Sequence, residues 1–112
     1  MYKCPHCGKD TFVGGGTCNH CDKAFAIAKL EDVFMKSDGS ESIGTRVVAG
    51  DEGKSHVVMR LREKGKKGKP DTESISIFTF KRAGDGWKHW TGWNEPLSLA
   101  TDIAKAVREV AP

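Results

Sequence analysis

Hydrophobic and polar positions alternate most clearly between His56 and Arg62. On an extended chain Val57, Met59 and Leu61 fall on one side, and His56, Val58, Arg60 and Arg62 on the other. That is the period of a half-buried strand with a cationic outer face. Three further strands are predicted around it. Thr45 to Ala49 is short and β-branched. Ser74 to Lys81 carries Ile75 and Ile77 on one face, with Phe78 and Phe80 nearby. Trp87 to Trp90 or Thr91 closes the set. Asp51-Glu52-Gly53-Lys54 reads as a turn. Glu63 to Asp71, with Lys64, Lys66, Lys67 and Lys69 set between glycines ahead of Pro70, reads as a basic hairpin loop. In Ala83-Gly84-Asp85-Gly86 the Asp-Gly pair is expected to supply the positive φ of a tight turn.

Gly92-Trp93-Asn94-Glu95-Pro96 is expected to break the fourth strand. Ser98 then stands where its hydroxyl would cap a helix. In that helix Leu99, Ile103, Ala106, Val107 and Val110 form one apolar stripe, and Asp102, Lys105, Arg108 and Glu109 lie off it. The stripe requires a sheet or a partner helix to cover it.

The pattern ahead of these strands is different. Thr11-Phe12-Val13 reads as a short strand and Gly14-Gly15-Gly16 as a turn. Phe25 and Ile27 alternate with alanines and suggest a returning strand. A helix from Ala24 to Met35 competes, because Ile27, Leu30 and Phe34 recur near helical spacing. A short strand passing into a helical turn is preferred. Lys36 to Ser42 is polar, with one glycine and no apolar residue, and reads as a linker. The expected organisation is a small zinc ribbon over residues 1–35, a linker over 36–42 and a ββββα domain over 43–112. The fold class is α+β, with an antiparallel four-stranded sheet and a C-terminal helix.

Cysteine spacing gives the first segment its chemistry. Cys4, Cys7, Cys18 and Cys21 are the only cysteines, arranged as two C-x-x-C pairs with ten residues between them. Each pair on a tight turn aims two thiolates at one point, and two facing turns make a closed tetrahedral site for structural Zn2+. Gly8 lets the first turn close around the sulfurs. A disulfide framework is the alternative, but no apolar leader run precedes Lys3 and Cys4. Reduced thiols imply a cytoplasmic, nuclear or nucleoid-associated protein. His6 and His20, inside the turns, are exposed loop residues or substitute ligands. A module this small buries too little apolar surface to fold alone, and metal binding of about 10–16 kcal/mol would supply the deficit.

The net charge of +3 over 112 residues is modest, but its distribution is uneven. Between Lys54 and Trp93 ten Lys/Arg face four Asp/Glu. These cations interleave with aromatics, the combination that single-stranded nucleic acid binding uses: cations track phosphates and aromatic faces stack on bases. Arg60, Arg62, Lys64, Lys66, Lys67, Lys81 and Lys88 are candidate phosphate contacts. Trp87, Trp90 and Trp93 are candidate stacking residues. On a strand Trp87 and His89 share one face and Lys88 and Trp90 the other. The sheet is therefore expected to have one apolar, helix-covered face and one basic, aromatic face. The plainer alternative makes the tryptophans core and the lysine loop a solvated tip. An enzyme is not expected: the cysteines serve the metal, His56 and His89 lack a partner set, and the adjacent acids Glu31-Asp32 and Asp51-Glu52 point apart. No apolar run approaches membrane-spanning length.

The order of a strand, Ala83-Gly84-Asp85-Gly86-Trp87-Lys88, a basic and aromatic turn, then Pro96-Leu97-Ser98-Leu99 opening an amphipathic helix resembles the C-terminal half of the positive cofactor four transcriptional coactivators. It also resembles the similarly built Whirly proteins, over roughly Ile75 to Val110. The resemblance implies a ββββα unit that dimerises and grips single-stranded DNA. The first segment looks like the zinc ribbons of transcription and replication proteins, which implies nucleic acid, a polymerase or another protein as partner. A homodimer is also expected because a domain of about 70 residues buries a limited core. The alternative function is a protein-interaction adaptor that docks on a polymerase or another enzyme.

Overall fold

The computed structural model describes residues 1–111. Its elements are β1 (Tyr2–Lys3), β2 (Asp10–Thr11), a 3-10 turn (Leu30–Asp32), β3 (Lys36–Ser37), β4 (Ser40–Ala49), β5 (Lys54–Glu63), β6 (Thr72–Ala83), β7 (Gly86–Pro96) and α1 (Leu97–Val110). The class is α+β, as the pattern implies. β1 pairs with β2 around the first cysteine turn, and β3 to β7 form an antiparallel sheet in sequence order that curls into a half-barrel. The Cα trace measures 43 × 41 × 17 Å, so the fold is one sheet layer with thin cover on each face.

Several boundaries differ from the expected ones. The stretch 36–42, expected as a linker, is a β-hairpin: Lys36 pairs with Glu41, and Gly39 turns the chain at φ +83°. It gains an edge partner because β4 begins at Ser40 rather than Thr45 and runs the full length of β5. Over residues 24–35 the preferred reading, a short strand passing into a helical turn, holds in outline, and the competing helix from Ala24 to Met35 does not form. Isolated bridges join Thr17 to Ala24 and Ile27 to Trp87, and the 3-10 turn follows. The positive φ of the β6–β7 turn lies at Gly84, the first loop residue, where a type II′ turn places glycine, and not in the Asp-Gly pair.

β7 is not broken at Gly92. It continues to Pro96 because a bulge between Thr79/Phe80 and their partners Thr91/His89 absorbs one extra residue, Trp90. The chain then passes directly into α1 at Pro96, which occupies the N-cap position without a side-chain cap, so Ser98 lies inside the first turn and caps nothing.

The core lies on the sheet face carrying Val57, Met59, Leu61 and Phe80, all buried. That side of the alternation is as expected, but its cover is not α1. Phe25, Ile27, Leu30 and Val33 from the segment after the second cysteine turn pack there, in one cluster that reaches Cys4 and Cys18. Backbone bonds fix the cover: Ile27 N–H donates to Trp87 O (2.9 Å), Trp87 N–H to Ile27 O (2.8 Å) and Ser42 N–H to Met35 O (2.9 Å). α1 lies on the opposite, cationic face, over β6 and β7.

Candidate metal centre and basic face

The two cysteine turns are built alike. Cys4 N–H donates to Lys9 O and Gly8 N–H to Cys4 O. Cys18 N–H donates to Lys23 O and Asp22 N–H to Cys18 O, all at 2.9 Å. The fifth residue of each turn needs a left-handed backbone, Gly8 at φ +75° and Asp22 at φ +60°. The N–H groups of His6 and His20 point at Cys4 Sγ (3.4 Å) and Cys18 Sγ (3.3 Å). Buried Thr11 braces the second turn: its hydroxyl donates to Asn19 Oδ1 at 2.5 Å and accepts from Asn19 N–H at 3.1 Å.

All four Sγ atoms lie within 4.8 Å of one another. Cys4–Cys21 and Cys7–Cys18 are each 3.7 Å apart. A disulfide requires about 2.05 Å, so these are free thiols. A tetrahedron with metal–sulfur bonds of about 2.3 Å has an edge of about 3.8 Å. Four soft thiolates at that spacing suit a closed structural metal such as zinc. His6 and His20 are not part of the donor set. The Nε2–H of His6 donates to Ala24 O (3.1 Å) and that of His20 to Asp10 O (3.0 Å).

The thiols divide into two pairs. Burial opposes ionisation of Cys18, but the N–H groups of Cys21 and His20 and the sulfurs of Cys4 and Cys21 outweigh it and bring Cys18 down to about 6. Burial likewise opposes ionisation of Cys4, and the N–H groups of Cys7 and His6 lower it overall. The N–H of Lys9 lowers Cys7, but burial and the sulfurs of Cys4 and Cys18 raise it further. The N–H of Lys23 lowers Cys21, but burial and the other three sulfurs push it up to about 11. The raised pair needs a cation to be thiolate at neutral pH.

The candidate nucleic-acid residues are distributed over three places. Lys81 and Lys88 are direct cross-strand partners, and Lys81 is also the partner of Lys54. Three lysines thus stand side by side on adjacent strands of one face. Trp90, half exposed, joins them. Lys81 Nζ lies 3.9 Å and Lys54 Nζ 4.4 Å from its ring centroid. At the other end of the strands are the Lys64–Lys69 loop, with Lys66 and Lys67 exposed at its tip, and Arg60 and Arg62, which both engage Glu73. Nine steps along β5 put its far end, Glu63, about 30 Å from Lys54. Trp93 lies between, lining a groove of ≈ 650 Å³ with Val58, Ile75, Ile77, Ile103 and Val107. Trp87 is on the opposite face, half-buried against the core, with the Arg82 guanidinium 5.1 Å from its ring.

The bulge decides this distribution. With strict alternation Trp93 would share a face with Trp87; the extra residue puts Lys88, Trp90 and Trp93 on the same side. Lys54 is not legible from sequence alone, where Asp51 to Lys54 reads as a turn. Only the cross-strand register reveals it, since the three lysines lie far apart in the chain.

No family model, curated protein or solved structure matches the chain. No match supports the resemblance to the positive cofactor four and Whirly proteins.

Proposed function

We propose that this is a metal-stabilised, non-enzymatic protein that binds single-stranded nucleic acid, DNA in the first instance, on the Lys54–Lys81–Lys88 face. The supporting observation is the lysine row beside half-exposed Trp90. Like charges directly opposite one another destabilise a sheet. Two of these ammonium groups find partial relief over the Trp90 ring, and a phosphate backbone relieves all three while a base takes the ring face. A single strand offers both groups at once; a duplex keeps its bases stacked inside. Four thiolates hold zinc as a closed structural ion with no open position for chemistry, and such a cluster fits a reducing compartment.

A salt series with a labelled single-stranded oligonucleotide tests the reading. Affinity should fall as salt rises, and Lys81→Glu should weaken binding and flatten the salt slope by about one. Equal affinity of wild type and Lys81→Glu at all salts overturns it.

One observation favours the adaptor reading. No residue of the helix is buried: Leu97 and Ala100 are half-buried, and Leu99, Ile103, Val107 and Val110 stay exposed. That surface suits a protein, either a second copy or a polymerase-type partner. Charge reversal on the lysine row would leave such docking intact.

A further inference from the structure

We propose that the metal centre holds the lysine–tryptophan row in place through the Ile27–Trp87 bridge, so that nucleic-acid binding depends on metal occupancy. This inference rests on the single-strand reading above. The connection is short and continuous. The second cysteine turn closes at Lys23, and the next residue, Ala24, is bridged back to Thr17 in front of the turn. Three residues later Ile27 makes two backbone hydrogen bonds with Trp87, at 2.8 and 2.9 Å. The next residue after Trp87 is Lys88, a member of the row, and Trp90 follows at the bulge.

Among the described residues β7 has no neighbouring sheet strand on its outer side, since it ends the order β3-β4-β5-β6-β7. At its start the Ile27 bridge takes the place of that neighbour. The approach is close. A Cβ on Gly86 would lie 2.7 Å from Ala26 Cβ and 3.0 Å from Ile27 O. Gly86 is therefore glycine because the metal-bearing segment presses against it, and its φ is not in the left-handed region. Ala26, Ile27 and Gly86 are positioning residues: none touches the nucleic-acid face, and all three hold the strand that carries it.

The contact can be broken without touching a cysteine. Gly86→Ala drives a methyl into Ala26, and Ala26→Gly removes the atom it strikes. In zinc-loaded, full-length protein, Gly86→Ala should keep one zinc per chain. It should raise amide exchange across Trp87–Trp90 and weaken binding of a single-stranded oligothymidylate by about tenfold. The double variant Ala26→Gly/Gly86→Ala should recover part of the exchange protection and affinity, because the closest contact is removed while the one at 3.0 Å with Ile27 O stays. A purely structural effect would instead raise exchange evenly over β4 to β7.

Wild-type affinity in zinc-loaded Gly86→Ala overturns the inference, and so does a loss of affinity without faster exchange at Trp87–Trp90. If Gly86→Ala cannot hold its zinc, chelation of the wild type decides. Exchange rising first at Trp87–Trp90 supports the link, and an even rise across all strands contradicts it. Failure of zinc-loaded wild type to bind any oligonucleotide removes the function proposed above, while the exchange measurements still judge the link between metal and β7.

Discussion

His6 and His20 each close the other's turn: the His6 ring donates to the carbonyl of Ala24 and the His20 ring to that of Asp10, at 3.1 and 3.0 Å. The relation is an internal pseudo-twofold. A shift of fourteen residues carries Cys4, His6, Cys7 and Asp10 onto Cys18, His20, Cys21 and Ala24. Each imidazole spends its Nε2–H on a carbonyl, so its role is to clasp the two turns. His6→Ala and His20→Ala should each retain one zinc and lower stability by a similar amount, about 0.5–1.5 kcal/mol for one lost hydrogen bond. Thermal melts and metal stoichiometry check this. Loss of the ion from either variant would make that histidine a ligand.

Metal uptake should release protons. Cys7 is raised and Cys21 lies at about 11, so both carry protons at pH 7 before metal binds, while Cys18, at about 6, is already largely thiolate. Zinc binding at pH 7 should therefore release at least the two protons of Cys7 and Cys21. Affinity should rise with pH through the neutral range, as the ion competes with fewer protons on Cys7 and Cys21. It should fall more steeply below about pH 6, where Cys18 is protonated as well. An indicator-dye titration in weak buffer reads the release; no release would mean that Cys7 and Cys21 do not bind the metal. Cys18→Ser should abolish stoichiometric zinc.

Because one cluster joins Cys4 and Cys18 to Val57, Met59 and Phe80, damage to the sheet core should reach the metal. Phe80 is fully buried. Phe80→Ala should destabilise the fold by about 3–5 kcal/mol, as for other large core truncations, and should hasten zinc loss to a chelator. Two separate unfolding transitions, with the metal-dependent one unchanged in Phe80→Ala, would contradict a shared core.

His89 supplies a pH dependence of its own. Its ring packs edge-on against Phe80, with centroids 5.6 Å apart, and tilted against Phe78 at 5.9 Å. Burial, and next the positive chain terminus, lower its pKa below the usual 6.5. The folded state thus prefers the neutral ring. The associated stability is complete above the unfolded value of about 6.5 and is lost as pH falls from there through the lowered folded value. His89→Gln should flatten stability against pH over that window, measured by denaturant melts; an unchanged slope would assign the dependence elsewhere.

The features legible in the sequence were those that a local period or spacing encodes. Two C-x-x-C pairs state the donor set outright, and the Val57/Met59/Leu61 alternation states which face of β5 is inward. What the sequence hid was set by register and by long-range cover. Lys54, Lys81 and Lys88 become neighbours only once three strands are aligned. The Trp90 bulge changes which tryptophans share a face, and neither Gly92 nor Pro96 signals it. The apolar residues of α1 suggested a lid for the Val57 face, yet Ile27, Leu30 and Val33 occupy that place. The polar stretch 36–42 looks like a linker because an edge hairpin exposed on both faces needs no apolar residue.

The most direct test is a tryptophan-fluorescence titration of the zinc-loaded protein with single-stranded oligothymidylate, wild type beside Trp90→Phe. The account predicts quenching in the wild type that weakens as salt rises. In Trp90→Phe, where Trp87 and Trp93 still report, most of the quenching should disappear, and affinity should fall by less than the roughly 1–3 kcal/mol that loss of the whole ring costs, because Phe still stacks. Absence of quenching at low salt, or identical titrations for the two proteins, would contradict a nucleic-acid site built on Trp90 and the lysine row.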